Sequence, residues 1–180
     1  LDSTPVLNVS DVNLDGVIDP ATDFVSVAIA QRRGGENVYA LNLTPTAILT
    51  SVSATVTPKF MWHISPSTTG FSRLGQTWSE PTSVTIATTS GPVAAFVFGG
   101  GYDSDLDDDD GSGTAKNFGT EAGDPNQGNA IYVVNATTGA LIMSISGSSS
   151  GADIELAQMK YAIPSNVTVI DSNGDGFEDR

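Results

Sequence analysis

Nine short apolar runs limit what this chain can fold into. They are Val6–Val9, Phe24–Ala30, Asn37–Leu43, Phe60–Ile64, Thr82–Ala87, Val93–Phe98, Ala130–Val134, Ala140–Ile145 and Val167–Ile170. Each is rich in β-branched or aromatic residues and is bounded by Gly, Pro, Asn, Asp or Ser. Several alternate apolar and polar residues, as half-buried antiparallel strands do. Helix signals are weak, and Ala152–Met159 reads as a short helix or an irregular segment. Nineteen glycines and nine prolines supply the turns. The pattern predicts an all-β protein.

Two stretches form a degenerate repeat: Glu36-Asn-Val-Tyr-Ala-Leu-Asn-Leu-Thr and Asn129-Ala-Ile-Tyr-Val-Val-Asn-Ala-Thr-Thr-Gly. The second runs into Ala140-Leu-Ile-Met-Ser, its predicted hairpin partner across Thr138-Gly139. Phe60-Met-Trp-His-Ile takes the partner role for the first. Repeated hairpins with an aromatic in each unit point to β-propeller blades. At roughly 45 residues per blade, this length supplies about three or four, fewer than a usual closed ring. The chain starts at Leu1, without a methionine, so a processed or excised piece is expected, with further chain after Arg180. The expectation is therefore one unit over 1–180, part of a modified β-propeller built from antiparallel hairpins. A long acidic loop insertion is expected at about 104–129, carrying the run Asp107–Asp110.

Composition narrows the partners. With 180 residues and 39% apolar side chains, the chain can bury a real core. Twenty-one acids against 7 basic residues give a net charge of −14. Such a surface repels phosphate backbones and anionic membranes, which argues against nucleic acid and favours cations. Cysteine is absent, which excludes disulfides and thiolate metal sites. A single histidine, His63, leaves little for a His-based zinc site or a catalytic triad. No apolar run is long enough to span a membrane.

The cation argument becomes specific at Asp171-Ser-Asn173-Gly-Asp175-Gly176-Phe177-Glu-Asp179. Oxygen side chains stand at positions one, three, five and nine. Glycine at position six permits a sharp turn, and the Phe177 carbonyl at position seven can point inward. Calcium takes about six to eight oxygen ligands in flexible geometry, whereas magnesium demands a tighter octahedron. The formula recurs at Asp11-Val-Asn13-Leu-Asp15-Gly16-Val17-Ile-Asp19, with Asp23 placed to add an outer ligand. Neither loop carries the bidentate glutamate of an EF-hand at position twelve, and strands rather than helices are predicted to flank them. The predicted metal sites are thus Asp171, Asn173, Asp175, Phe177 and Asp179, and Asp11, Asn13, Asp15, Val17 and Asp19, with Ca2+ as the cofactor. Asx-rich turns are the plain alternative, but five matching positions seen twice outweigh it.

Other features carry less chemistry. The Asp103–Asp110 run lacks the glycine-turn spacing and reads as a solvated acidic loop. Gly99-Gly-Gly101 is followed by no Lys-Ser/Thr, so it is no phosphate cradle. His63 reads as a packed or edge histidine. Trp62 and Trp78 read as core or blade-interface anchors.

Placed in order, these segments resemble the C-terminal β-propeller domain of the PilY/PilC family of type IV pilus biogenesis factors and tip adhesins. The segments are Asn37-Val-Tyr-Ala-Leu-Asn, Pro58-Lys-Phe-Met-Trp, Leu74-Gly-Gln-Thr-Trp-Ser-Glu-Pro and Phe98-Gly-Gly-Gly-Tyr-Asp103. Gly128-Asn-Ala-Ile-Tyr-Val-Val-Asn-Ala-Thr-Thr-Gly-Ala-Leu, Met159-Lys-Tyr-Ala-Ile-Pro-Ser and Val169-Ile-Asp-Ser-Asn-Gly-Asp-Gly-Phe-Glu-Asp-Arg180 complete the set. The resemblance implies a modified propeller whose calcium loop is Asp171, Asn173, Asp175, Phe177 and Asp179. It implies export through the periplasm to the cell surface, pilus tip or outer membrane. It also implies minor pilins and a host or abiotic surface as partners, and a calcium-linked role in pilus extension and retraction, twitching motility and attachment. No Arg-Gly-Asp tripeptide is present, so integrin binding by that route has no support.

The leading expectation is a non-enzymatic, calcium-binding pilus factor. Two alternatives stand beside it. One is a quinoprotein-dehydrogenase-like propeller enzyme, for which one histidine and seven Lys/Arg offer little. The other is a generic calcium-stabilised bacterial surface or adhesin domain.

Overall fold

The computed structural model describes residues 2–13, 15–46, 56–89, 91–103, 127–175 and 177. Among the described residues nine strands form in sequence: β1 Val6–Ser10, β2 Phe24–Ala30, β3 Val38–Asn42, β4 Lys59–Ile64, β5 Thr82–Thr88, β6 Gly91–Gly99, β7 Ala130–Asn135, β8 Leu141–Ser146 and β9 Ile154–Glu155. They make two sheets in chain order, β1-β2-β3-β4 and β5-β6-β7-β8-β9. Every pairing is antiparallel except β8 with β9. Each sheet is therefore an antiparallel meander of four strands, the unit of a propeller blade. The second sheet gains β9 on its edge.

Eight of the nine predicted runs are strands, with ends shifted by a residue or two. The ninth differs: Val167–Ile170 belongs to neither sheet. Its alternating pattern comes from packing on a sheet face instead, with Val167 and Val169 half-buried and Thr168 and Ile170 exposed. Ala152–Met159 forms no helix and contributes β9. The described residues build two sheets rather than three or four. Each consumes more chain than about 45 residues, the first spanning 6–64 and the second 82–155. Residues 104–126, including Asp107–Asp110, lie outside the described residues.

The predicted repeat is structural. Strands β3 and β7 each occupy the third place in their sheet, and β4 and β8 are their hairpin partners. A β-bulge interrupts both at the same offset, between Ala40 and Leu41 and between Val133 and Val134. Both strands end in an asparagine that caps the following turn. Asn42 Oδ1 accepts the Thr44 amide at 2.7 Å, and Asn135 Oδ1 accepts the Thr137 amide at 2.9 Å.

The main core lies between the sheets. The first contributes Ala28, Val38, Ala40, Trp62 and Ile64; the second contributes Phe96, Phe98, Ala130, Tyr132 and Val134. The matching strands present opposite faces to this core. Val38 and Ala40 face it from β3, but their counterparts Ile131 and Val133 face away, in a second cluster with Val84, Ile86 and Val97. The sheets thus stack the same way round, front on back, as blades do. Trp62 bridges them, meeting Phe96 edge-on at 6.3 Å and donating from Nε1 to the Ala136 carbonyl at 3.1 Å. Trp78 sits away from this core, under the Arg32 guanidinium and edge-on to Tyr102.

Gly99–Gly101 is a chain crossing. Gly100 donates to Ala130 O, and Gly101 donates to Ile163 O at 3.1 Å. A Cβ on Gly100 would stand 2.6 Å from Gly128 O. The amides that a phosphate would need are therefore committed to the fold, in accord with the absence of a following Lys-Ser/Thr.

Candidate metal centre

The first acidic loop is the β1–β2 connection. The ladder closes with Ser10 opposite Phe24, so residues 11–23 leave and return at one sheet end. Strands flank this loop on both sides, as expected. The second loop follows Val167–Ile170, which pairs with neither sheet, so it lacks the predicted strand before it.

Short-range chemistry organises both loops, and at positions three and five it does so in the same way. In the first, Asn13 Oδ1 accepts the Asp15 amide at 3.2 Å and Asp15 Oδ1 accepts the Val17 amide at 2.7 Å. In the second, Asn173 Oδ1 accepts the Asp175 amide at 2.8 Å and Asp175 Oδ1 accepts the Phe177 amide at 2.9 Å. The position-one aspartates also accept inward. Asp11 Oδ2 takes Gly16 N at 2.8 Å, and Asp171 Oδ1 takes Gly174 N at 2.7 Å and Asp175 N at 3.3 Å. Each loop thus wraps its backbone around its own oxygens. Left-handed backbone is supplied at position six of the first loop by Gly16, φ 77°, and at position four of the second by Gly174, φ 76°; Gly176, position six of the second, lies outside the described residues.

Asp23 plays a part that spacing alone does not reveal. Read from sequence as an outer ligand, it also ties the neck of the loop. It is 5% exposed; its Oδ1 accepts Val12 N at 3.0 Å and its Oδ2 accepts Asp19 N at 2.7 Å. These two amides hold its carboxyl below the usual range. The clamp depends on the β1–β2 register, which brings residue 23 beside residue 12. Asp19 in turn caps the next turn, its Oδ1 accepting Ala21 N at 2.9 Å.

Among the described residues no three acidic or imidazole side chains converge closely enough to hold an ion. Asp179 lies outside the described residues. The donor chemistry nevertheless suits calcium. Every side chain in question offers hard oxygen, and no nitrogen or sulfur ligand competes. Asp11 Oδ1 is buried and meets no hydrogen-bond partner, an oxygen for which a cation is a fitting neighbour. The residues fit the ion without being assembled around it.

His63 is an edge residue. It is exposed, stacked on Tyr39 at 5.0 Å, and bonded through Nε2 to Asn37 Oδ1 at 2.7 Å.

No family model matches the sequence, and no curated protein matches it. Among solved structures, the crystal structure of the Pseudomonas aeruginosa PilY1 C-terminal domain is similar to this chain. The match covers 99% of this chain and 27% of that one, with a TM-score of 0.55 and 20% sequence identity. The fold is thus the propeller-like fold of that domain, of which this chain spans only a part. The likeness agrees with the resemblance carried by the sequence segments.

Proposed function

We propose that this chain is a non-enzymatic, calcium-binding part of a type IV pilus biogenesis factor or tip adhesin. One observation carries the reading: nearly the whole chain, 99% of it, overlays the PilY1 C-terminal domain. The family segments run in the same order along the sequence. Calcium enters at Asp171, Asn173, Asp175, the Phe177 carbonyl and Asp179, and at Asp11, Asn13, Asp15, the Val17 carbonyl and Asp19. Bound there, it neutralises clustered carboxylates and fixes loops that otherwise repel themselves. Loop order then biases the surface offered to minor pilins, and through it pilus extension and retraction, twitching motility and attachment. The setting is the cell surface or pilus tip. Among the described residues no helix is long and apolar enough to cross a membrane, which says nothing of β-barrels.

The test is calorimetric titration of the purified chain with calcium, beside a chelated control, followed by pull-down with minor pilins. Calcium uptake together with calcium-dependent pilin capture is the expected result. Uptake without capture would leave a generic calcium-stabilised surface domain, and no uptake would sink the calcium assignment.

A further inference from the structure

The second acidic loop is preceded by a segment with an unusual attachment. Residues 166–170 join no sheet, and among the described residues no backbone–backbone hydrogen bond fastens them. They are held through side chains. Thr82 Oγ1 donates to Val167 O at 2.8 Å, and the Glu80 amide donates to Asn166 Oδ1 at 2.9 Å. Val167 and Val169 rest on the outward face of the second sheet, against the cluster of Val84, Ile86, Val97 and Val133. Beneath them remains a cavity of about 200 Å³, lined by side chains that include Ile86, Ile131, Ile142 and Met143. The cover over this apolar face is therefore a short strap, packed but not laddered.

The strap runs directly into Asp171. We infer that Val167–Val169 is a calcium-tightened strap whose hold on the second sheet strengthens when the following loop binds the ion. The inference rests on the calcium reading above. Only Ile170 separates Val169 from Asp171, so an ion that fixes Asp171 also fixes the end of the strap. Much of the entropy lost on docking the strap is then already spent in loop ordering. Without the ion, the carboxylates of Asp171 and Asp175 repel one another and loosen that end. The regulated surface is apolar, so its exposure changes what the protein can associate with. Coupling is reciprocal: a docked strap must also raise calcium affinity.

Hydrogen exchange of the amides of residues 166–170, with calcium and with chelator, reads the strap directly. An apolar fluorescent dye reads the sheet face. Calcium is expected to slow exchange severalfold and to lower dye binding. The double variant Val167→Ser, Val169→Ser is expected to bind dye equally in both states and to bind calcium more weakly. Thr82→Ala, a milder change, is expected to shift both readouts in the same direction. If calorimetry records calcium uptake while strap exchange is unchanged, the strap coupling fails and the calcium reading survives. If no calcium binds, both fail. Unchanged calcium affinity in both strap variants would also overturn the coupling.

Discussion

Asp23 sits at the neck of the first acidic loop with one backbone amide on each carboxylate oxygen. Its ionised form is the one the fold favours. The stability it contributes is fully present above its unfolded value near 3.8 and is lost as pH falls through its lower folded value. Asp23→Asn should therefore destabilise the protein at neutral pH and progressively less below about pH 4. Denaturant melts at pH 7 and pH 3 measure this, and an equal loss at both would contradict it. Asp15→Ala and Asp175→Ala each remove a proposed ligand from a different loop. Each should weaken calcium binding at its own site by at least about tenfold, the scale on which even outer-sphere partners matter. Circular dichroism should show the β fold retained. The oxygen spacing of both loops was readable from sequence because it is local. The Asp23 clamp was not, because it depends on a strand register that sets Ser10 against Phe24.

At the level of elements, glycines with similar backbone angles differ in what surrounds them. Gly16 has φ 77° and open space about its Cβ position. Gly16→Ala should cost about 1 kcal/mol, the strain of left-handed backbone alone. Gly139 has φ 70°, and its Cβ would stand 2.7 Å from Cγ of the buried Trp62 ring. Gly139→Ala adds overpacking to that strain and should cost roughly 2–4 kcal/mol in all. Thermal unfolding of the pair of variants separates the two contributions. Strand β2 was legible to the residue, because Phe24–Ala30 is a dense β-branched run bounded by polar residues. Val167–Ile170 looked equally like a strand, since alternation reports one buried face and is silent on whether an edge is near enough to pair. Strand β9 is two residues long, too short for any period, and owes its existence to the β8 edge beside it.

On the scale of the molecule, the interface between the sheets and the net charge set the balance. Trp62→Ala opens the inter-sheet core and leaves the Ala136 carbonyl without its donor. It should cost about 3–5 kcal/mol and broaden the unfolding transition as the sheets uncouple. With a net charge of −14, chelated protein should melt at a lower temperature than calcium-loaded protein. Added monovalent salt should recover part of the difference by screening. The same-way-round stacking of the two sheets bears on how the chain tolerates substitution. Tyr39 and Tyr132 occupy matching places in the repeat, yet one lies beside His63 on the outer face and the other is 2% exposed between Phe71 and Phe98. A saturation scan should therefore tolerate polar residues at Tyr39 and reject them at Tyr132, while Ala40 and Val133, buried on opposite faces of their sheets, are both sensitive. One sheet is closed on a single face and the other on two, so the same hairpin geometry makes different demands on matching side chains, and the two segments cannot exchange sequences freely.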